Sequence, residues 1–592
     1  MLTRREMIKL GLGAPAILRF GRLRSSGWLL DGHDQQSSPR LTPFLDELPA
    51  PNGHPENGGI VRALPVLTRK DSLPNIKDYA LQYVGNATKF YEISTEERLV
   101  QFHQQLPPTS VWGYVDKNQP PSGDPPRLLA FRMPSDLKVG QKALAGILLR
   151  HFNNLPTAPR AFGFPFLSPH MHGGHQPAPA DGFPVDIANR FGDFPAQVVI
   201  PPHNPNQPPQ FFDYMLPLRD VGVFDGVPTQ DERPALLWFH DHILDFTGAN
   251  VYRGLANVMC VFDEIDTGNE HDGPPALGLP SGPYDITLVV QDKIFDISGA
   301  LIYNADQGGF LGDTFVVNGV VQPFLNVQRR KYRFRFLNGS NARIYQIFLT
   351  NDLGQTFPMT QIATEGGLLA APIRDLQSFT MAMAERFEII VDFGHSLFDN
   401  QSVIYVENRL EQTDGRKADG TVNEGPKILK FILTGSPLRT ASGESEPGPV
   451  ASKLRPFKEV TPEEKANAVH RSFRFDRSHG VFTINGEPVD LERPVAISTK
   501  NTPEIWHIEN SSGGWWHPIH IHSELQRVLL RNGKLPPLGE RDGNARKDTV
   551  LLRGGEEAAV FLKFRDFRGP FVFHCHNIEH EDMQMMARFN VI

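Results

Sequence analysis

The sequence predicts an all-β protein built from three related units in tandem. Three observations carry this. Its 592 residues contain 52 glycines and 51 prolines, a supply of turn formers suited to many short strands. A strand, an asparagine-bearing turn and a second strand recur three times, in segments starting at Gly146, Tyr332 and Ile505. Asn-Gly pairs recur as well, in FVVNG from Phe315 and FTING from Phe482, and read as tight hairpin turns.

In chain order, residues 1–24 place Arg4-Arg5 before a short apolar run, which resembles a twin-arginine export signal. Lys9 interrupts that run, and Arg19, Arg22 and Arg24 follow it. The expectation is export to the periplasm or the medium, with a basic tail on a cytoplasmic protein as the alternative. Residues 25–75 are rich in Pro, Gly, Ser and charge, and read as a linker or a surface-draped arm. The first unit spans 76–270, the second 282–436 and the third 465–592. The loop-like stretch 437–464 separates the last two. EIIVDF from Glu388 parallels VFLKF from Val560, so the second and third units repeat in their later strands too. The net charge of -8 offers no footprint for nucleic acid. No run of eighteen apolar residues is present to span a membrane.

The chemistry concentrates in the tail, FVFHCHNIEHEDMQMM. Val and Phe on the approach read as a strand, and side chains on a strand alternate between faces. Cys575 therefore points one way, and His574 and His576 the other. One thiolate and two imidazoles on opposite faces can serve two metal centres joined by a few covalent bonds. Two imidazoles, one thiolate and a weak axial thioether form the blue-copper arrangement. Cys575 and His580 supply two strong ligands and Met585 suits the axial position, with Met583 and Met586 nearby as alternatives.

The second imidazole comes from WWHPIHIH. His517 lies three positions before His520 and precedes Pro518, which bars a regular central-strand hydrogen bond. His517 is thus free to face away from His520 and His522, toward Cys575. Four pairs then remain: His170/His172, His240/His242, His520/His522 and His574/His576. Eight imidazoles suit three copper ions with positions open for oxygen. A lone H-x-H is usually a half-exposed strand, but nearly half of the 21 histidines fall into these clusters. Cys260 reads as a small buried hydrophobe. His175, His203, His395 and His470 have no partner at ligand spacing.

The four motifs, in this order, resemble those of the multicopper oxidases, above all the branch of bacterial spore-coat laccases, bilirubin oxidases and phenoxazinone synthases. The resemblance runs from about residue 75 to the end. It implies three consecutive cupredoxin-like Greek-key β-sandwich domains, the outer two holding copper and the middle one spacing them. It implies four copper ions: type 1 at His517, Cys575, His580 and Met585; type 2 at His170 and His520; and a type 3 pair at His172, His240, His242, His522, His574 and His576. Glu581 and Asp181 match the acidic residues that move protons in the family. The implied partners are dioxygen and a small aromatic reductant: a phenol, an aromatic amine or a bilirubin-like pigment. A spore-coat location joins the possibilities. The alternative is a cuprous oxidase or copper-handling protein, but the segment after His522 lacks the methionines such proteins often carry there. A zinc hydrolase needs three ligands and an open position, and has no use for a His-Cys-His bridge. No sequence feature indicates an oligomeric state.

Overall fold

The computed structural model describes residues 37–49, 88–116, 146–157, 159, 161–185, 198–201, 210–305, 308–439 and 445–592. The Arg4-Arg5 segment and His203 lie outside the described residues. The fold is all-β, as expected. The three α-helices among the described residues, Thr247–Tyr252, Pro462–Ala466 and Ile578–Asp582, have six residues or fewer.

Each unit is a pair of sheets facing one another. In the third, one sheet has the order Val481–Ile484, Val469–Ser478, Glu504–Asn510, Glu557–Leu562, Arg527–Arg531. The other runs Ala496–Ser498, Met586–Val591, Gly569–Cys575, His517–Ile521, Thr549–Leu552. Alternation sets their facing: Phe473, Phe475, Trp506 and Ile508 are buried, while Ser472, Arg474, His507 and Glu509 look outward.

The internal repeat is structural. In every unit a first strand pairs in parallel with the asparagine-bearing strand: Thr88–Val100 with Gly146–Asn153, Asp285–Phe295 with Lys331–Asn338, Val469–Ser478 with Glu504–Asn510. The two segments related by sequence, within Arg386–Asp392 and Glu557–Leu562, each pair antiparallel with that same strand. The turn asparagines behave alike. Asn153, Asn338 and Asn510 each accept the N–H two residues on, at 3.0–3.1 Å, and each donates Nδ2 to two carbonyls across the loop. An amide has one acceptor and two donors for this task, which explains why the residue recurs. Both Asn-Gly pairs have two positive φ angles in succession, 51° and 79° at Asn318-Gly319 and 57° and 82° at Asn485-Gly486. That is the type I′ hairpin geometry.

Residues 37–49 lie along the second unit, where Leu48 N–H donates to Phe324 O at 2.7 Å and Glu47 bridges Phe324 in parallel. The first and third units meet through the short helices Thr247–Tyr252 and Ile578–Asp582. Asp582 accepts Thr247 N–H at 3.0 Å and Gly248 N–H at 2.8 Å. A Cβ on Gly248 would stand 2.4 Å from the Tyr303 hydroxyl, so only glycine admits this approach. No helix among the described residues is long and apolar enough to cross a membrane.

Candidate metal centres

The strand Gly569–Cys575 lies between His517–Ile521 and Met586–Val591, with Ile519 opposite Cys575 and His520 opposite His574. Cys575 faces the core of the third unit, among Ile519, Phe573 and Met585. His574 and His520 take the other face. The strand runs through Pro518, which pairs with Leu551, and the Pro518 carbonyl accepts His576 N–H at 2.6 Å. The odd spacing from His520 is therefore enough to turn His517 toward Cys575. The hydrogen bond that Pro518 cannot donate is not needed to explain the turn.

On the core face three donor atoms form a triangle. His517 Nδ1 lies 3.2 Å from Cys575 Sγ and 3.1 Å from His580 Nδ1, and Sγ lies 3.5 Å from His580 Nδ1. The distal nitrogens are held by oxygens. His580 Nε2 donates to Gly308 O at 2.8 Å, and His517 Nε2 is 2.7 Å from Ser512 Oγ. Donating through Nε2 leaves the His580 Nδ1 lone pair aimed into the triangle. Met585 is fully buried in the same core as Cys575, whereas Met586 packs with Phe183, Leu491 and Val572 and Met583 is only partly buried.

On the opposite face, eight imidazoles from the first and third units converge. All are 2% exposed or less. His170 donates Nδ1 to Asp181 O at 2.6 Å, His240 to Asp241 O at 2.8 Å, His520 to Asp548 O at 2.8 Å, His522 to Asp181 Oδ2 at 2.7 Å, and His574 to Cys575 O at 3.1 Å. With Nδ1 protonated and neutral rings, each Nε2 is an acceptor. Yet His574 Nε2 lies 3.2 Å from His242 Nε2 and 3.3 Å from His522 Nε2, and His170 and His520 bring theirs to 3.4 Å. His172 Nε2, His240 Nε2 and both nitrogens of His576 have no hydrogen-bond partner. Lone pairs crowded together in a dry interior are costly unless a cation sits among them. Nitrogens bound to one first-row dication at about 2.0–2.1 Å stand roughly 3 Å apart, as these do.

Electrostatics prepare the same state. Burial first, and neighbouring rings second, hold His172, His240, His520, His522 and His576 well below the ordinary imidazole range. Neutral imidazole is the metal-binding form. Burial raises the Cys575 thiol well above its usual range, so a nearby cation is what would make the thiolate stable.

The two acidic residues are also placed. Glu581 Oε2 is 3.1 Å from His574 Nδ1 and Oε1 is 3.7 Å from His242 Nε2. Burial would raise its carboxyl, but His574 and His242 outweigh burial and hold it low. Asp181 binds His522 through Oδ2 and accepts Gln176 Nε2 through Oδ1 at 2.7 Å. A cleft partly open to solvent reaches His170, His520 and His522 along the seam between the first and third units.

Several contributors were not read from the sequence. Asp548 Oδ2 and Arg386 Nη1 each lie 3.2 Å from His172 Nδ1, and the two residues are themselves doubly bonded. Arg386 belongs to the second unit, so that unit does more than space the other two. His470, read as solitary, has His507 Nε2 at 2.8 Å on the adjacent parallel strand. His175, also read as solitary, is bonded to Asp566. His395 caps a short turn by accepting Leu397 N–H. Cys260 is buried beside Thr287, as a small hydrophobe should be.

Comparison with known proteins decides the family. The family model described as multicopper oxidase matches residues 459–592. A laccase of Bacillus stratosphericus is 30% identical over 85% of this chain and 95% of its own length. The chain belongs to the multicopper oxidase family. A bilirubin oxidase of Albifimbria verrucaria is 28% identical, over 92% of this chain and 85% of that protein. The crystal structure of the 2F4 variant of the McoA multicopper oxidase from Aquifex aeolicus covers 85% of this chain and 96% of its own, at 26% identity and a TM-score of 0.65. This multicopper oxidase is a copper-dependent, laccase-like oxidoreductase with dioxygen as electron acceptor.

Proposed function

We propose that the chain holds four copper ions and oxidises phenols, aromatic amines or bilirubin-like pigments one electron at a time, reducing dioxygen to water. The observation that carries this is the single strand with Cys575 in a two-histidine triangle on one face and His574 in an eight-imidazole cluster on the other. Type 1 copper would be held by His517, Cys575 and His580 with the thioether of Met585, the only one of the three candidate methionines that is fully buried in the core of Cys575. Type 2 copper is assigned to His170 and His520. The type 3 pair divides between His242, His522 and His574 and the remaining His172, His240 and His576.

Bound copper would supply the one-electron couple and the site of oxygen reduction. The chain supplies the path. Cys575 is one peptide bond from His574 and one from His576, and its carbonyl also accepts the His574 Nδ1 proton at 3.1 Å. On the reductant side, the half-buried Trp515 ring stands 5.1 Å from His580, and Arg477 and Arg416 lie 4.9 and 5.9 Å from the indole. A flat surface flanked by cations suits an electron-rich aromatic. Each dioxygen takes four electrons and four protons to give two waters. Glu581, 3.1 Å from His574, and Asp181, hydrogen-bonded to His522, stand where protons are consumed. Met381 and Met383 are buried in the second unit, and residues 523–548 contain no methionine, which disfavours cuprous ion as reductant.

The test is copper content together with oxygen uptake on phenols, bilirubin and cuprous ion. Four ions per chain and turnover of the organic substrates are expected. Fewer than four at full loading, or turnover of cuprous ion alone, would overturn the reading.

A further inference from the structure

We propose that His175, held as an imidazolium by Asp566, donates protons for oxygen reduction on the His170–His520 side of the imidazole cluster. His175 lines the cleft that reaches His170, His520 and His522, and its side chain is 13% exposed. None of its hydrogen bonds goes to an assigned ligand. The proposal rests on the oxidase reading above and adds a residue to it.

Hydrogen bonding fixes the charge. Nδ1 lies 2.9 Å from Ser523 O, a carbonyl that can only accept. Nε2 lies 2.9 Å from Asp566 Oδ2. Asp566 is already saturated with donors: Gly222 N–H at 2.6 Å on Oδ2, and Phe224 N–H at 2.7 Å and Asp225 N–H at 3.2 Å on Oδ1. Donors on both oxygens are the signature of a carboxylate, so the shared proton belongs to the ring. Two acceptors, one at each nitrogen, require two N–H groups, and a ring with two is charged. The pair is also locked in place. Asp566 has φ of +60° and donates its own N–H to Asp225 Oδ2 at 2.8 Å. A non-glycine residue held there is over-determined by its surroundings.

The surroundings favour the cation. Glu524 Oε1 is 4.0 Å from Nδ1, and Asp181 is near enough to interact with the ring electrostatically. Against these, Arg565 is engaged by Glu524 and Glu232, Arg219 acts on Asp566, and Lys500 is paired to Asp225. Burial alone would depress His175, but Asp566 and Glu524 outweigh it and raise the ring above the ordinary imidazole range. Its proton is therefore kept to a higher pH than an ordinary imidazole's and lost as pH rises through the elevated value.

The step balances. Ser523 lines the same cleft, so a cleft water can replace its carbonyl as the acceptor of Nδ1–H; that N–H bond then breaks, the water takes the proton toward the reduction site, and neutral His175 regains one at Nδ1 from bulk water at the open end. The ring is unchanged over a turnover, and the four electrons come from the reductant. His175 follows the Gly173-Gly174 turn after His172, so one short loop carries both a ligand and the proposed donor.

The test uses fully reduced, diamagnetic holoenzyme. In ¹⁵N-histidine spectra, the signal lost in His175→Gln should show two N–H groups at about pH 7, above the ordinary value of about 6.5. On mixing with oxygen, His175→Gln should reoxidise at least tenfold more slowly, within the range of about 10²–10⁴-fold typical of general acids. It should also lose the high-pH titration of the rate and gain a solvent isotope effect. Asp566→Asn is the second variant, because it keeps the ring: its titration should move to lower pH and its rate at neutral pH should fall likewise. A neutral His175 ring in the wild type, or a His175→Gln rate and pH profile equal to wild type at equal copper content, overturns the proposal. A fall in melting temperature alone, with the pH profile intact, also overturns it and leaves an interface bond. A wild-type holoenzyme that does not reduce oxygen brings down the oxidase reading itself, and the control arm shows that separately.

Discussion

Asp548→Asn tests whether the layer behind the imidazoles sets copper affinity. Asp548 is 2% exposed and serves three groups: His172 Nδ1 at 3.2 Å, Arg386 through two bonds of 2.6 and 3.0 Å, and His520 through its backbone carbonyl at 2.8 Å. The substitution keeps the shape and the backbone carbonyl but removes the charge. Loss of a carboxylate behind a metal-bound imidazole costs about 10–100-fold in affinity, or roughly 1.4–2.8 kcal/mol at 1.4 kcal/mol per tenfold. Breaking a buried ion pair costs about 3–5 kcal/mol of fold stability. Arg386 keeps Leu236 O, Ala384 O and Glu365 O as acceptors at 3.1, 2.9 and 3.4 Å, which places the cost at the lower end of that range. The protein should therefore fold, retain the blue absorption of the Cys575 site, and lose copper from the imidazole cluster at a 10–100-fold lower chelator concentration. Copper content and the type 2 paramagnetic signal across a chelator series measure this. A copper-retention curve identical to wild type would refute the reasoning, because His172 and His520 would then need no support from Asp548.

Three further outcomes are expected. Glu581→Gln should slow oxygen reduction while leaving the blue absorption intact, and unchanged turnover in oxygen uptake would remove Glu581 from proton transfer. Cys575→Ser should abolish the blue absorption and reductant-driven oxygen consumption while the imidazole cluster still binds copper; persistent turnover would show that electrons bypass this strand. Burial pushes the Glu232 carboxyl up, but Arg565, Arg527 and Arg546 outweigh it and hold it well below the usual range. Because its folded value lies below the unfolded one of about 4.3, its stabilisation is complete above that pH and fades as pH falls further. Thermal melts from pH 7 to 3 should decline less steeply for Glu232→Gln, and parallel curves would contradict this.

The convergence of the histidines and Cys575 was legible because a strand converts spacing into direction. Even spacing put His520 and His522 on one face, odd spacing put His517 on the other, and His574-Cys575-His576 spans both. The repeat was legible because Asn153, Asn338 and Asn510 solve the same hydrogen-bonding problem in each unit. What supports the ligands was not legible. Arg386 meets Asp548 across 162 positions, and His175 meets Asp566 across 391. Neither pairing has a local signature, since a lone Asp or Arg on a strand edge is ordinarily a solvated charge. His470 and His507 become neighbours only through parallel pairing, which no hairpin announces.

The seam between the first and third units shows why those distant partners are ionic. Eight neutral imidazoles must be brought within a few tenths of an ångström of their mutual positions by two separately folded sandwiches. An apolar seam would tolerate sliding, because hydrophobic contact is non-directional. Here Glu232 of the first unit takes Arg527 at 2.5 Å and Arg565 of the third, Asp231 takes Arg546 at 2.7 Å, and Asp566 takes His175. Buried pairs of this kind contribute little net stability against well-packed hydrophobes, but they penalise every misalignment heavily. Their value lies in register. On the proposed assignment copper would add a second lock, since an ion held by His170 of one unit and His520 of the other would stabilise only the docked state, by mass action. The nitrogens these ion pairs align lie 3.2–3.4 Å apart, the separation at which two imidazoles can share one cation.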